Sequence, residues 1–128
     1  LRGVEDGPAF RAGLSNTTTA RDLGVILSAL GRGEVVSPEA SREMVEVMSR
    51  QQFRSKIPAE LPEDVRVAHK TGWITGISHD AALVYPPETP PFTLIILTRG
   101  FQDSDQAEEL AATIARRVYD YHVDKHGP

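Results

Sequence analysis

The sequence predicts an α+β fold in which two helices precede an antiparallel three-strand meander and a long helix closes the chain. Three observations carry this. Apolar residues recur at helical spacing between two cappable starts in the first half. After Pro58 and Pro62 the period changes to strand-like runs joined by short connections, which favour an antiparallel meander over crossovers. From Ser104 onward an amphipathic stripe returns and runs nearly to the end.

Residues 1–16 hold Gly and Pro without a sustained period and read as a loop. The helical part covers 17–58. Thr17-Thr18-Thr19 offers N-cap hydroxyls, with Asp22 three residues beyond Thr19, and Leu23, Ile26, Leu27 and Leu30 follow on one face up to Gly31-Arg32-Gly33. Ser37-Pro38 is a cap followed by proline at the first helical position. Met44, Val47 and Met48 then define a face expected in the core. Three strands occupy 63–99: the first ends at Gly72, the second runs from Ile77 to Tyr85, and the third is Phe92–Thr98. The unbroken apolar run of the third predicts burial on both of its faces, hence helices on both sides of the sheet. The closing helix spans 104–124, with Ser104, Asp105 and Glu108 as cap candidates and Ala107, Leu110, Ala111, Ile114, Ala115 and Val118 inward.

Composition narrows the function classes. The chain has 128 residues, of which 40% are hydrophobic and 25% charged, enough for one globular domain or a portion of one. A net charge of −4 with scattered cations excludes nucleic acid as the expected partner. Zero cysteines exclude disulfides and thiol chemistry. No apolar run approaches the roughly 20 residues that span a bilayer. Leu1-Arg2-Gly3-Val4 is neither a signal peptide nor an initiating Met, so the chain reads as cut. His69, His79, His122 and His126 lack the spacing of a metal-ligand set, and no metal or other cofactor is expected. His122 and His126, four apart near a helix carboxy terminus, read as dipole-complementing cations.

The chemistry-bearing motif is Lys70-Thr71-Gly72, at a strand end just before the turn through Ile74-Thr75-Gly76. With the Asn16-Thr17-Thr18-Thr19 helix start, the Ser37-Pro38 helix, two further strands and the closing helix, it resembles the carboxy-terminal half of the penicillin-recognising serine hydrolases, particularly the class A β-lactamase-like family. That family's motifs are Ser-x-x-Lys, Ser-Asp-Asn and Lys-Thr-Gly, and this chain has only the third. No serine here is followed three residues on by lysine. Ser104-Asp105-Gln106, the nearest approach to Ser-Asp-Asn, reads as a helix cap.

The resemblance implies acyl transfer from a β-lactam or peptide-like substrate to a serine outside this chain, in a periplasmic or extracellular setting. It places the substrate carboxylate on Lys70 and Thr71, close strand approach at Gly72, and an oxyanion-hole donor on the backbone N–H of Trp73. His79 stands where many relatives carry an arginine that helps bind the carboxylate. Its other reading is a histidine bonded to Asp80 or Ser78 within the sheet. His69 lies on the opposite strand face from Lys70 and is expected to be structural. Glu5 is the one glutamate upstream of the Thr-rich helix start, where class A enzymes keep their deacylating glutamate, yet it lacks the asparagine expected four residues on. Elements taken from a larger fold should expose apolar faces, so a companion polypeptide bearing Ser-x-x-Lys is expected. Penicillin-binding carboxypeptidase, esterase and non-catalytic binding protein are the alternatives.

Overall fold

The computed structural model describes residues 7–14 and 17–127. Its elements are α1 (Gly7–Arg11), α2 (Ala20–Gly31), α3 (Pro38–Ser49), β1 (Arg66–Ile74), β2 (Ile77–Tyr85), β3 (Phe92–Arg99) and α4 (Ser104–His126). The order is the expected one, with one addition: the stretch read as a loop holds the short helix α1. A single turn of this kind has too few residues to show a hydrophobic period.

Local chemistry sets the helix starts. The Thr19 hydroxyl accepts the Asp22 N–H at 3.1 Å, and the Ser37 hydroxyl accepts the Ala40 N–H at 3.1 Å with Pro38 just inside the helix. At α4 the cap is Asp103, whose carboxylate accepts the Asp105 N–H at 3.0 Å, and Ser104 is the first helical residue. An anionic cap also complements the positive end of the helix dipole.

The sheet is antiparallel in the order β1-β2-β3. Ala68, Ala81, Leu83 and Ile95 face α2 and α3, meeting Leu27, Leu30, Val45 and Met48. Val65, Val67, Ala82, Val84 and Ile96 face the other way, against Ile57 and Ala111 and Ala115 of α4. The helices therefore cover both faces, as the sequence implies.

Three burial expectations are corrected. β3 is the outer strand, and Ile96 alone of its residues is fully buried, because an edge strand has a neighbour on one side only. α3 turns Ser41 and Val45 inward; Met48 packs on the core, whereas Met44 and Val47 are exposed. In α4 the buried residues are Ala107, Ala111, Ala112 and Ala115, while Leu110 and Ile114 remain exposed. Alanines let that helix sit close to the sheet, so its larger apolar side chains flank the contact rather than fill it.

Between α2 and α3 the chain turns through Val36, which has φ of 63° and is 93% exposed. Buried Ser41 fixes this turn, donating to the Val35 carbonyl at 2.9 Å and accepting the Val35 N–H at 3.1 Å. A β-branched residue in the left-handed region costs about 1–2 kcal/mol, which asparagine largely avoids. Val36→Asn is expected to stabilise the chain by about 1 kcal/mol, raising the thermal midpoint by several degrees; an unchanged or lowered midpoint on thermal unfolding contradicts this account of the turn.

Candidate active site

β1 is the other outer strand of the sheet, and its carboxy-terminal end carries Lys70-Thr71-Gly72-Trp73. Alternation along the strand separates these residues. Lys70 and Gly72 share the α2/α3 side with Ala68, and Thr71 lies on the α4 side with Val67 and His69. Lys70 is exposed, its ammonium donates to the Thr71 carbonyl, and it borders a hollow of about 320 Å³ with Val47, Met48 and Phe53. Thr71 is buried. A Cβ at Gly72 would meet nothing within 4 Å, so the strand face is open there.

His79 is the register partner of Gly72 and stands on the Lys70 side. Its Nδ1 accepts the Thr98 N–H at 3.1 Å, a partner different from either Asp80 or Ser78. An accepting Nδ1 carries no proton, so a cationic His79 must give up this bond.

His69 is structural, as its strand face implies. Both it and Asp80 have wholly buried side chains, and His69 Nδ1 lies 2.9 and 3.1 Å from the two Asp80 carboxylate oxygens. Asp80 also accepts the Ile57 N–H at 3.2 Å. His69 Nε2 is buried without a partner among the described residues. The carboxylate facing Nδ1 can only accept, so Nδ1 carries the proton and donates to it.

Sequence reasoning missed two members of this region. The sequence offers Asp80 only as a partner for His79, whereas the diagonal across the β1–β2 ladder brings it to His69. Lys56, which no motif in the sequence singles out, is 2% exposed. Its ammonium donates to the His79 carbonyl at 3.3 Å and stands 5.2 Å from the Trp73 ring centroid. Trp73 itself is 56% exposed and meets the ring of Phe53 edge-on at 5.1 Å.

The remaining candidates lie elsewhere. His122 Nε2 donates to the Pro90 carbonyl at 2.8 Å, and its ring contacts those of Phe92 and His126, at the carboxy-terminal end of α4. No group of three possible metal ligands exists among the described residues. Glu5 lies outside them. Among the described residues, no serine hydroxyl bonds to a lysine or histidine: Ser28 meets Thr93, Ser37 caps α3, Ser41 holds Val35, and Ser49 bonds the Val45 carbonyl and Arg66. No helix among the described residues is long and apolar enough to cross a membrane.

An edge strand carrying Lys-Thr-Gly near its carboxy-terminal end, backed by one long helix and faced by two, defines the fold of the penicillin-recognising enzymes, and solved structures agree. The chain is similar to PBP-A, with a TM-score of 0.76 and 30% identity, covering 84% of this chain and 40% of that one. A mutant of PBP-A was solved as an acyl-enzyme complex with penicillin G. TLA-1 extended-spectrum β-lactamase shares the fold, with a TM-score of 0.80 at 24% identity over 92% of this chain and 46% of its own. A β-lactamase of Streptomyces lavendulae is 30% identical over 91 residues, 66% of this chain and 28% of that protein. The sequence profile of the β-lactamase enzyme family, Beta-lactamase2, matches residues 2–122, and the chain belongs to that family. It spans less than half the length of each of these relatives.

The His69–Asp80 pair generates a stability prediction. Removing Asp80 leaves His69 and the Ile57 N–H buried and unsatisfied, and removing His69 leaves the Asp80 carboxylate buried with the Ile57 N–H alone. Asp80→Ala is expected to cost about 3–5 kcal/mol. The double replacement Asp80→Leu with His69→Phe, apolar and of comparable bulk, should cost less than the sum of its single changes. Urea denaturation of the parent, Asp80→Ala, the two single changes of the cycle and the double replacement, five proteins, measures both; strict additivity contradicts the coupling.

Proposed function

We propose that this chain supplies the Lys-Thr-Gly wall of a β-lactamase-type serine hydrolase whose nucleophile comes from a segment bearing Ser-x-x-Lys, on a companion polypeptide or in a longer form of the chain. The observation that carries the reading is Lys70-Thr71-Gly72 at the open end of an edge strand, in a chain of this family. In it Lys70 holds the substrate carboxylate and Thr71 adds a hydroxyl. Gly72 lets the substrate approach the strand, and the Trp73 N–H is one donor to the developing oxyanion. The second donor belongs to the absent serine. Thr71 is buried in the described structure, so its hydroxyl reaches substrate only if the strand end adjusts when the cleft is completed.

Two further observations support a completing segment. Val25 and Ile26 of α2 and Met44 and Val47 of α3 are exposed apolar side chains on the helices that flank the sheet. The relatives are more than twice as long as the part matched here. The bond from Thr98 to His79 Nδ1 weighs against His79 as the second carboxylate-binding cation.

The similarity to PBP-A favours a second reading of the same site, as a penicillin-binding enzyme of the carboxypeptidase or esterase kind that acylates and releases slowly. The two differ in deacylation, the step that a class A enzyme assigns to a loop glutamate; Glu5 is the candidate.

Fluorescent penicillin is expected to label the polypeptide that unites Ser-x-x-Lys with these residues, and absence of labelling refutes the proposal. In that polypeptide Lys70→Ala should slow acylation by a carboxylate-bearing β-lactam roughly ten- to a hundredfold, as befits a charge-assisted bond of about 1.5–3 kcal/mol. The methyl ester of the same β-lactam should be little affected, so equal losses for acid and ester remove Lys70 from carboxylate binding. Release of the acyl group over minutes or longer fits the penicillin-binding reading, whereas fast turnover abolished by Glu5→Gln fits the β-lactamase.

A further inference from the structure

Near the carboxy-terminal end of α4 two imidazoles stand one above the other on the same helix face, four residues apart. His122 is half-buried and held from two sides: its Nε2–H donates to the Pro90 carbonyl at 2.8 Å, and its ring leans on that of Phe92 with centres 4.6 Å apart. With the proton on Nε2, the neutral ring keeps its lone pair on Nδ1, which no donor meets among the described residues. Imidazoles that ligate metals are held in this way, the other ring N–H being given to a carbonyl or carboxylate that fixes the tautomer. His126, one turn on, is exposed and makes no hydrogen bond among the described residues, so its ring can turn. The two ring centres are 4.7 Å apart. Two imidazoles that share one metal ion through bonds of about 2.0–2.1 Å, at square or tetrahedral angles, hold their centres roughly 4.5–5.2 Å apart. The four histidines together make no ligand set, but this helical pair already has the separation of a chelate.

We infer that His122 and His126 form a two-histidine site for a divalent transition metal, Cu(II) above all, with water completing the coordination. Imidazole suits Cu(II), Ni(II) and Zn(II), whereas the hard ions Mg(II) and Ca(II) require oxygen ligands, and Cu(II) binds nitrogen donors most tightly of these. His122 Nδ1 is the fixed ligand, and His126 turns to supply the second. The place favours a cation, because the carboxy-terminal end of a helix carries partial negative charge. Lys125, the other basic residue of the last turn, leans back on the Tyr121 hydroxyl and ring. Two histidines fall short of the three protein ligands of a catalytic zinc centre, so the site binds and staples. Through the His122–Pro90 bond, the metal locks the last turns of α4 to the connection between β2 and β3. This is the end of the sheet away from the Lys-Thr-Gly motif. Phe92 is in register with Val84 and Val67, which lie along their strands from His79 and Gly72 by roughly 17 Å at about 3.3 Å per residue. The inference therefore does not rest on the proposed function.

Isothermal titration of the 128-residue chain with Cu(II), Ni(II), Zn(II) and Mg(II) tests this. Cu(II) should bind with a dissociation constant on the order of 1–100 μM, Ni(II) and Zn(II) at least about tenfold more weakly, and Mg(II) not measurably. A lone imidazole loses the effective concentration that its partner supplies, so His122→Ala and His126→Ala should each weaken Cu(II) at least about tenfold. Electron paramagnetic resonance of the Cu(II)-loaded chain should show two imidazole nitrogens, falling to one in either variant. Saturating Ni(II) should raise the thermal midpoint of the parent and leave that of His126→Ala unchanged. Absence of saturable Cu(II) binding, equal affinity in the parent and His126→Ala, or a spectrum with a single imidazole overturns the inference. Binding at the terminal amine or at another histidine gives the second of these results, since it survives both substitutions. Circular dichroism checks that the variants fold; if His122→Ala does not, exposed His126→Ala and the spectrum of the unsubstituted chain decide.

Discussion

The buried contact between His69 and Asp80 is the constraint on which the site end of this molecule depends. It joins the residue before Lys70 to the residue after His79, so it fixes both strands where the motif sits. Through the Ile57 N–H it also ties down the loop that carries Lys56. One carboxylate thus holds three segments far apart in sequence. Its own burial is tolerable only because each of its bonds is made. On the opposite face of the same strands Ala68, Ala81 and Leu83 pack against α2 and α3. This anchoring and the packing on both faces leave β1 little freedom up to Gly72, two residues before its end at Ile74.

Most of the architecture was legible in the sequence because local chemistry determines it. Thr19 and Ser37 announce helix starts, the change of period after Pro62 announces strands, and short connections impose a meander. Burial was less legible. The apolar run Phe92–Thr98 reads as a doubly covered strand, yet its place in the sheet is a property of the whole fold, and β3 is an edge. Met44 and Val47 satisfy a helical period whose centre is displaced from the face that Val45 and Ser41 bury.

The candidate site divides in the same way. Lys70-Thr71-Gly72 is contiguous and therefore visible as a motif. The diagonal from His69 to Asp80 and the loop bond from Ile57 are long-range facts that no local pattern encodes. The partner of His79 shows the limit well: the sequence offers Ser78 and Asp80 as neighbours, whereas the ladder with β3 presents the Thr98 N–H to the ring.

The short connection through Thr75 and Gly76, with Gly76 at φ of 72° and its carbonyl accepting the Gly100 N–H at 2.8 Å, has a consequence for how the molecule assembles. Every strand pairs with its nearest neighbour in sequence, so the sheet has low contact order and little loop-closure entropy to overcome. The β1–β2 hairpin can nucleate from residues close together along the chain and so bring Gly72 opposite His79 before α4 docks. The motif-bearing strand end is in this sense kinetically self-sufficient, organised by its own hairpin rather than by whatever later closes the cleft.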